Sequence, residues 1–352
     1  MREPALPIVA FGASTPVGRD AWSSAAAVRA GISGFAEHPY MIDTAGEPMR
    51  GAFAPWLDID LPLQQRFEAL LFPAIEQALA PLAATEPGAL KLALALGLPE
   101  PRPGLPTALE TELRLSLGQR YGRIFGSAAT FPNGHAAGLL ALQAAARVLD
   151  RGAVDACVVA GVDSYTDPET LEWLEECDQL HSAGPLNNAW GFIPGEAAGA
   201  VLLTSEELAR QIGQPPLALL LGIGHGTETK RIKTETVCVG EGLTTAFRQA
   251  LDHLPNGDQV SDVYCDLNGE PYRADEYGFT CLRTKEHFVS ASDFIAPADC
   301  WGDVAAAGAP LHLMLAAIAG LKGYANGPRA FVWSSSEGGD RAAAALATAE
   351  VQ

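Results

Sequence analysis

No run of about 18 apolar residues occurs in this chain, so no membrane-spanning helix is expected. Positive charge is scarce: 23 Lys and Arg stand against 42 Asp and Glu, a formal net charge of −19 over 352 residues. Nucleic acids and anionic membranes bind basic surfaces, and so acidic a chain makes a poor partner for either. Cysteine is sparse and irregularly spaced. Cys157, Cys177, Cys238, Cys265, Cys281 and Cys300 form no Cys-x-x-Cys pair and no metal-ligand pattern. That predicts the reduced thiols of a cytoplasmic protein, with neither a disulfide framework nor a metal site. A secretory leader is not expected either, because Met1 to Pro4 runs directly into a strand-like Pro7 to Ala10.

What the chain does have is a sharp turn, Phe131-Pro132-Asn133-Gly134-His135-Ala136-Ala137-Gly138, followed by an apolar helix and a short apolar strand. Leu139, Leu140, Leu142, Ala145, Ala146 and Leu149 surround the helix, with only Gln143 and Arg147 interrupting. A helix apolar on most sides is buried in the body of a domain. Asp150-Arg151-Gly152 supplies the stop, with a glycine suited to the C-terminal cap. Cys157 to Gly161 then reads as a strand covered on both faces. Turn, buried helix and buried strand in that order form an elbow that presents one residue at a helix N-terminus. Here that residue is His135.

The stretch from His135 to Ser164 resembles the central segment of β-ketoacyl synthases of the thiolase-fold superfamily. That family carries Cys-x-x-Gly at the elbow, an alanine-rich helix and an Arg-Gly turn. His135-Ala136-Ala137-Gly138 falls on Cys-x-x-Gly without a gap, and Arg151-Gly152 falls on the turn. Gly191 to Leu203 resembles the family's Gly-Phe-x-x-Gly-Glu-Gly-Ala-Gly motif, and Glu196 within it falls on a glutamate of structural role. The resemblance implies an α/β, thiolase-like fold of two pseudo-symmetric βαβ halves in α-β-α-β-α layers. It also implies dimerisation through a strand beside the elbow, and no cofactor.

The halves are expected at residues 1–205 and 216–352, with the polar stretch from Ser205 to Pro216 between them. Ile8 to Gly18 reads as the opening strand and turn. A helix from Leu63 to Leu79 places Leu63, Phe67, Leu70, Leu71, Ala74, Ile75 and Ala78 on one face. Pro73 inside it predicts a kink or a broken first half. Leu92 to Gly97 is the next buried strand. Between Gly97 and Phe131 the family carries a longer insertion; here a Pro-rich loop and one helix, Thr107 to Tyr121, are expected, leaving the site more open. The second half predicts strands at Leu217–Leu221, Val263–Asp266 and Ala330–Trp333, and helices at Gly242–Leu251 and Gly308–Gly320.

The positions that carry chemistry in the family are altered. Its members need a cysteine thiolate, activated at a helix N-terminus, and two imidazoles. By resemblance the first imidazole falls on Asn268, in Asp266-Leu267-Asn268-Gly269-Glu270, and the second on Gly302, in Trp301 to Gly308. Threonines that hold a pantetheine arm fall on Glu270 and Tyr272, a lysine on Pro297 and an apolar gate on Glu337. With His135, Asn268 and Gly302 in place of Cys, His and His, no condensing chemistry is expected. The lining candidates Glu270, Tyr272, Glu337, Cys265 and Cys300 make any surviving pocket polar and acidic. His135 is expected to be neutral, because the helix dipole disfavours imidazolium. The ring is read as simply bonding a backbone group or a carboxylate; a neutral ring near Glu270, Glu337 and Asp266 leaves open, as the alternative, an acyltransferase or hydrolase using it as a base. Cys265 and Cys300 are read as small buried hydrophobes, with relocated nucleophiles as the alternative.

The resemblance therefore implies a catalytically inactive relative acting as a partner or binding subunit, like a chain-length factor, in fatty-acid or polyketide-type metabolism. The alternatives are the acyltransferase or hydrolase above, and a bare scaffold. A homodimer, or a heterodimer with an active ketosynthase, is the expected assembly. Acyl carrier protein, itself acidic, is disfavoured by the charge of −19, except at the basic cluster of Lys230, Arg231 and Lys233.

Overall fold

The first strand, β1 (Leu6–Ser14), carries apolar or small residues on both faces and is buried along almost its whole length. Such a strand needs cover on each side, and the rest of the chain supplies it. The computed structural model describes residues 5–84, 89–182, 189–232, 234 and 236–349. After β1 come α1 (Ala21–Arg29), the hairpin β2 (Ala36–Ile42) and β3 (Pro48–Gly51), and α2 (Leu63–Leu79). Then follow β4 (Leu92–Gly97), α3 (Leu109–Tyr121), β5 (Phe125–Phe131), α4 (Ala137–Asp150), β6 (Ala156–Ser164), α5 (Pro168–Glu176) and β7 (Glu196–Thr204). The remainder begins with α6 (Glu206–Gln211), β8 (Ala218–Thr227), α7 (Glu241–Leu251), β9 (Asp262–Cys265) and α8 (Pro271–Thr284). It ends with α9 (Ala298–Trp301), α10 (Gly308–Leu321), β10 (Arg329–Ser335) and β11 (Asp340–Thr348).

Nine strands join in the order β5-β4-β6-β7-β1-β8-β11-β10-β9. The order is nearly palindromic about the antiparallel β1–β8 pair. On one side β7 runs antiparallel to β1 and β6, and on the other β11 runs antiparallel to β8 and β10. The outer pairs, β4 with β5 and β6, and β9 with β10, are parallel. The symmetry breaks at one place. Where the second half would match β5, residues 288 and 295 make isolated bridges only.

The two half-sheets enclose α4 and α10. Leu139, Leu142 and Ala145 of α4 share one core with Leu311, Met314 and Ile318 of α10, packed against Val159, Val201, Val332 and Leu346. On the outer face of the first half-sheet, Phe67, Leu70 and Ile75 of α2 and Leu113 of α3 meet Leu94, Val158 and Leu202. On the other outer face, Leu243 and Phe247 of α7 and Tyr277 of α8 meet Phe331, Trp333 and Ala343. Neighbouring residues of one strand thus serve opposite cores, as the two-residue period requires. The result is the expected α-β-α-β-α stack. α10 is buried on every side from Gly308 to Gly320 because a half-sheet lies on each flank. Among the described residues no helix is long and apolar enough to cross a membrane.

Several expectations need correction. α2 runs unbroken through Pro73. Packing of Phe67, Leu70, Leu71, Ala74, Ile75 and Ala78 on both sides of the proline outweighs the roughly 3 kcal/mol that the lost bond and ring clash cost. The region between Gly97 and Phe131 is more than a loop and a helix, since it also forms the edge strand β5. The stretch from Ser205 to Pro216 contains α6, capped by the Ser205 side chain. Glu196 is structural in position: its carboxylate takes Arg66 at 2.6 and 2.9 Å, the Ala54 N–H at 2.7 Å and the Ser164 hydroxyl at 2.8 Å. Arg66 and Glu196 are both fully buried, so this pair fastens α2 onto β7.

Candidate functional site

The elbow forms because β5 ends at Phe131, just before Pro132, and the chain reverses through Gly134, whose φ of +61° suits glycine. A short 3₁₀ turn, Gly134–Ala136, leads into α4. The glycine of the elbow motif, Gly138, lies where α4 crosses α10; a Cβ there would come within 2.7 Å of the Pro310 ring. This puts the His135 side chain inside the protein, only 6% exposed. The Ala136 N–H at the same turn is taken by Ser336 Oγ at 2.8 Å, tying the elbow to the loop after β10.

His135 meets a residue that sequence reasoning passed over. Its Nε2 lies 2.9 Å from both carboxylate oxygens of Asp303. Asp303 is held by backbone bonds to Ile193 and Gly195, at 2.7 and 2.8 Å, and its side chain also accepts the Ala305 N–H at 2.8 Å. Arg273, in the first turn of α8, places Nη2 3.2 Å from His135 Nε2. The same guanidinium reaches Asp266 and Glu270 at 3.1 Å each and the Ser335 carbonyl at 2.7 Å. Asn268 donates to Asp303 at 2.6 Å and to Glu270 at 3.0 Å. Gln179, after α5, donates to Glu270 at 3.1 Å and to Glu337 at 2.6 Å.

The expectation of a neutral His135 is therefore corrected. Burial and the Arg273 charge both push the ring toward neutrality, but the Asp303 carboxylate outweighs them and the pKa of His135 is raised. Burial acts against the Asp303 charge too, yet the His135 and Arg273 cations hold its pKa below the ordinary carboxylate range. The dipole argument fails because a full charge at hydrogen-bond distance exceeds the partial charge of a helix end. Asp266 moves the other way, raised chiefly by burial. Beneath the cluster, burial lowers the pKa of His312 to about 3.

Of the expected site residues, the structure brings His135, Asn268, Glu270 and Glu337 into one hydrogen-bonded network, reached through Asp303 and Gln179. Gly302 adjoins it with φ of +73°, and a Cβ there would lie 2.8 Å from the Ile193 carbonyl. No side chain of any kind fits at this position without movement of the backbone. Cys265 lies near the cluster but is fully buried, which raises its thiol pKa well above the usual value. Cys300 points elsewhere, its Sγ 3.9 Å from the Val28 carbonyl. Tyr272 lines a separate cleft with Arg231 and Cys238, its ring 5.2 Å from the Arg273 guanidinium. Lys230 pairs loosely with Glu241 at 3.5 Å, and Arg231 donates to the Gly338 carbonyl at 3.1 Å; Lys233 lies outside the described residues. Glu228, Cys238 and Glu276 bring three possible metal ligands within 4.8 Å, but Arg341 already holds Glu276 at 2.6 Å.

Asp303, Arg273 and Gln179 were the residues missed. Asp303 stood inside the quoted motif, one place after Gly302. Arg273 stands three residues after Glu270, the spacing that joins side chains on a helix. Gln179 gave no sequence signal.

Fold and elbow together define the thiolase-like class. The family model of the beta-ketoacyl synthase N-terminal domain matches residues 124–209. Polyketide synthase ThaG of Burkholderia thailandensis is 28% identical over 158 residues, a match that covers 38% of this chain and 3% of that protein. Among solved structures, the ishigamide ketosynthase/chain length factor superposes with a TM-score of 0.80 at 18% identity, over 99% of this chain and 100% of that one. A type II polyketide synthase acyl-carrier protein in complex with its ketosynthase, bound to the hexaketide, gives 0.79 at 15% identity, over 99% and 100%. The chain thus has the thiolase-like fold of these ketosynthase structures, and its residues 124–209 are similar to the beta-ketoacyl synthase N-terminal domain.

Proposed function

We propose that this chain is a non-condensing, ketosynthase-like subunit that pairs with an active ketosynthase, in the manner of a chain-length factor, in polyketide- or fatty-acid-type metabolism. The observation that carries the reading is the ion-paired cluster at the elbow. Condensation needs a thiolate and two imidazoles free to polarise a thioester. Here the elbow residue is an imidazole pinned by Asp303, Asn268 is hydrogen-bonded to two carboxylates, and Gly302 has no room for a side chain. The same pairing weakens the hydrolase or acyltransferase reading. A base must be unprotonated, whereas the pKa of His135 is raised, and among the described residues no hydroxyl or thiol bonds its ring.

The partnership rests on β5. It is an edge strand, and its residues 126–129 are exposed and small. A bare edge of small residues accepts a second strand. The six free cysteines suit a reducing, cytoplasmic setting. The test is affinity purification from the native host, followed by malonyl decarboxylation and condensation assays with and without the captured protein. A ketosynthase is expected to co-purify, and the chain alone is expected to be inactive. Turnover by the chain alone that disappears in His135→Ala would overturn the reading.

A further inference from the structure

The two halves differ in one helix. In the first half α1 lies on β1: the Trp22 ring meets Phe11 edge-on, with centroids 5.9 Å apart, and Ala21 and Ala25 enter the inner core. Gln77 of α2 joins helix to strand, accepting the Ala13 N–H at 3.1 Å and the Ala21 N–H at 3.2 Å. Lys322, the first residue past α10, lays its ammonium 5.0 Å from the centroid of the Trp22 ring. In the second half β8 repeats β1 and α7 repeats α2. Gln249 of α7 accepts the His225 N–H at 3.0 Å, as Gln77 accepts that of Ala13. A Cβ on Gly224 would strike the Ala246 carbonyl, as one on Gly12 would strike that of Ala74. Yet between β8 and α7, residues 228–240 form no helix among the described residues.

The place that α1 fills in the first half is therefore open in the second. Ile223 precedes His225 as Phe11 precedes Ala13, but Phe11 is only 7% exposed whereas Ile223 is partly uncovered. A cleft of about 480 Å³ lies there, between Ile223, the end of α4 and the end of α7. Arg147 and Arg151 line its α4 wall, and both are exposed. Arg151 follows α4 as Lys322 follows α10, but among the described residues neither arginine pairs with a carboxylate or an aromatic ring. Asp150 beside them and Asp252 on the α7 wall are likewise without an ion pair among the described residues. The α4 wall thus carries net positive charge and the α7 wall a negative one. Arg147 and Arg151 stand four apart and share one helix face. An apolar strip flanked by unpaired charges is a groove suited to an amphipathic helix.

We infer that this cleft receives a short amphipathic helix of a partner protein, laid on Ile223 as α1 is laid on Phe11, with acidic side chains four residues apart on Arg147 and Arg151. A basic side chain on its other edge meets Asp252. The inference depends neither on the chemistry of the elbow nor on pairing through β5, which ends the strand order while β8 lies inside it.

Fluorescence anisotropy on the full chain tests it, with labelled peptides built on α1 itself. Position 22 faces the end of α10 in the first half, so one peptide of residues 19–31 carries Trp22→Glu and Ala26→Glu, and a second carries Trp22→Lys and Ala26→Lys. The acidic peptide is expected to bind saturably, at least about tenfold more tightly than its scrambled form, and more weakly as salt rises. Arg147→Glu with Arg151→Glu is expected to weaken it by about tenfold and to make the lysine peptide the tighter of the two. Gln143→Trp fills the cleft without changing its charge and should weaken both. No saturation, equal binding of the scrambled peptide, or an affinity unmoved by the charge reversal overturns the proposal. Light scattering on the charge-reversed chain completes the test. Loss of a dimer there would put a second copy of this chain in the cleft and overturn the partner helix, whereas an unchanged assembly supports it.

Discussion

His135 and Asp303, 168 residues apart in sequence, meet with the ring nitrogen 2.9 Å from each carboxylate oxygen, at the junction of the two half-sheets. One residue comes from the elbow before α4 and the other from the loop before α10, so the contact exists only when the halves are closed on each other.

The pair predicts a pH window. His135 has a raised pKa, so its contribution to stability is complete below the unfolded value of about 6.5 and is lost as pH rises through the folded value. Asp303 has a lowered pKa, so its contribution is complete above about 4 and is lost as pH falls. The pair should therefore stabilise most between about pH 4 and 6.5. Thermal melts across pH should show this shoulder, and Asp303→Asn should flatten it. NMR titration should place His135 above the ordinary histidine value in the native protein and below it in Asp303→Asn. A native His135 that titrates below the ordinary value refutes the assignment.

Removing the Glu196 side chain should strand a buried guanidinium. Glu196→Ala is expected to cost about 3–5 kcal/mol in urea unfolding, because Arg66 is left buried without its anion. The double replacement Arg66→Met with Glu196→Leu should recover most of the loss. If Glu196→Ala costs less than about 1 kcal/mol, the bond between α2 and β7 is not the anchor described.

The β5 edge should control assembly. Light scattering at micromolar concentration is expected to show a dimer of the purified chain. Lysines at Ser127 and Ala129, which share one face of the exposed strand, should give monomers without lowering the melting temperature. A native monomer would count against pairing through this edge.

Long acyl chains should bind weakly. Each buried methylene contributes about 0.8 kcal/mol in an apolar tunnel, whereas Glu270, Glu337 and Gln179 form a polar, bonded cluster beside the elbow. Acyl-pantetheine and acyl-CoA are expected to show no rise in affinity with chain length in calorimetry. A steady gain per methylene would mean that an apolar channel persists behind the cluster.

Elements with strong patterns were legible. α2 and β4 fall where the apolar spacing put them, and α7, α10 and β10 lie within a few residues of their expected ends. Their signals are local: a helical face, or a short apolar run. β5 and β11 gave no such signal. Phe125–Phe131 has small residues through its middle, and Asp340–Thr348 contains an alanine run that by propensity belongs in a helix. β11 is a strand because it lies between β8 and β10 with a helical layer on each face, where Ala343 and Ala345 meet α7 and Ala342 and Ala344 meet the inner core. The small side chains let those layers approach, and tertiary packing overrode propensity.

The sequence by itself determined that the elbow carries histidine and that the local spacing suits a layered α/β chain, while its resemblance to the ketosynthases implies that Asn268 and Gly302 fall on the two imidazole positions. Only the tertiary structure decided what those residues became. Whether His135 is neutral or charged depends on which carboxylate lies within 3 Å, and that carboxylate arrives from the far end of the chain. Motif spacing shows which residues occupy a site but not which loops meet there. Coulomb energies fall off over a few ångströms, so the protonation state of the elbow was set by the closing of two half-sheets around α4 and α10.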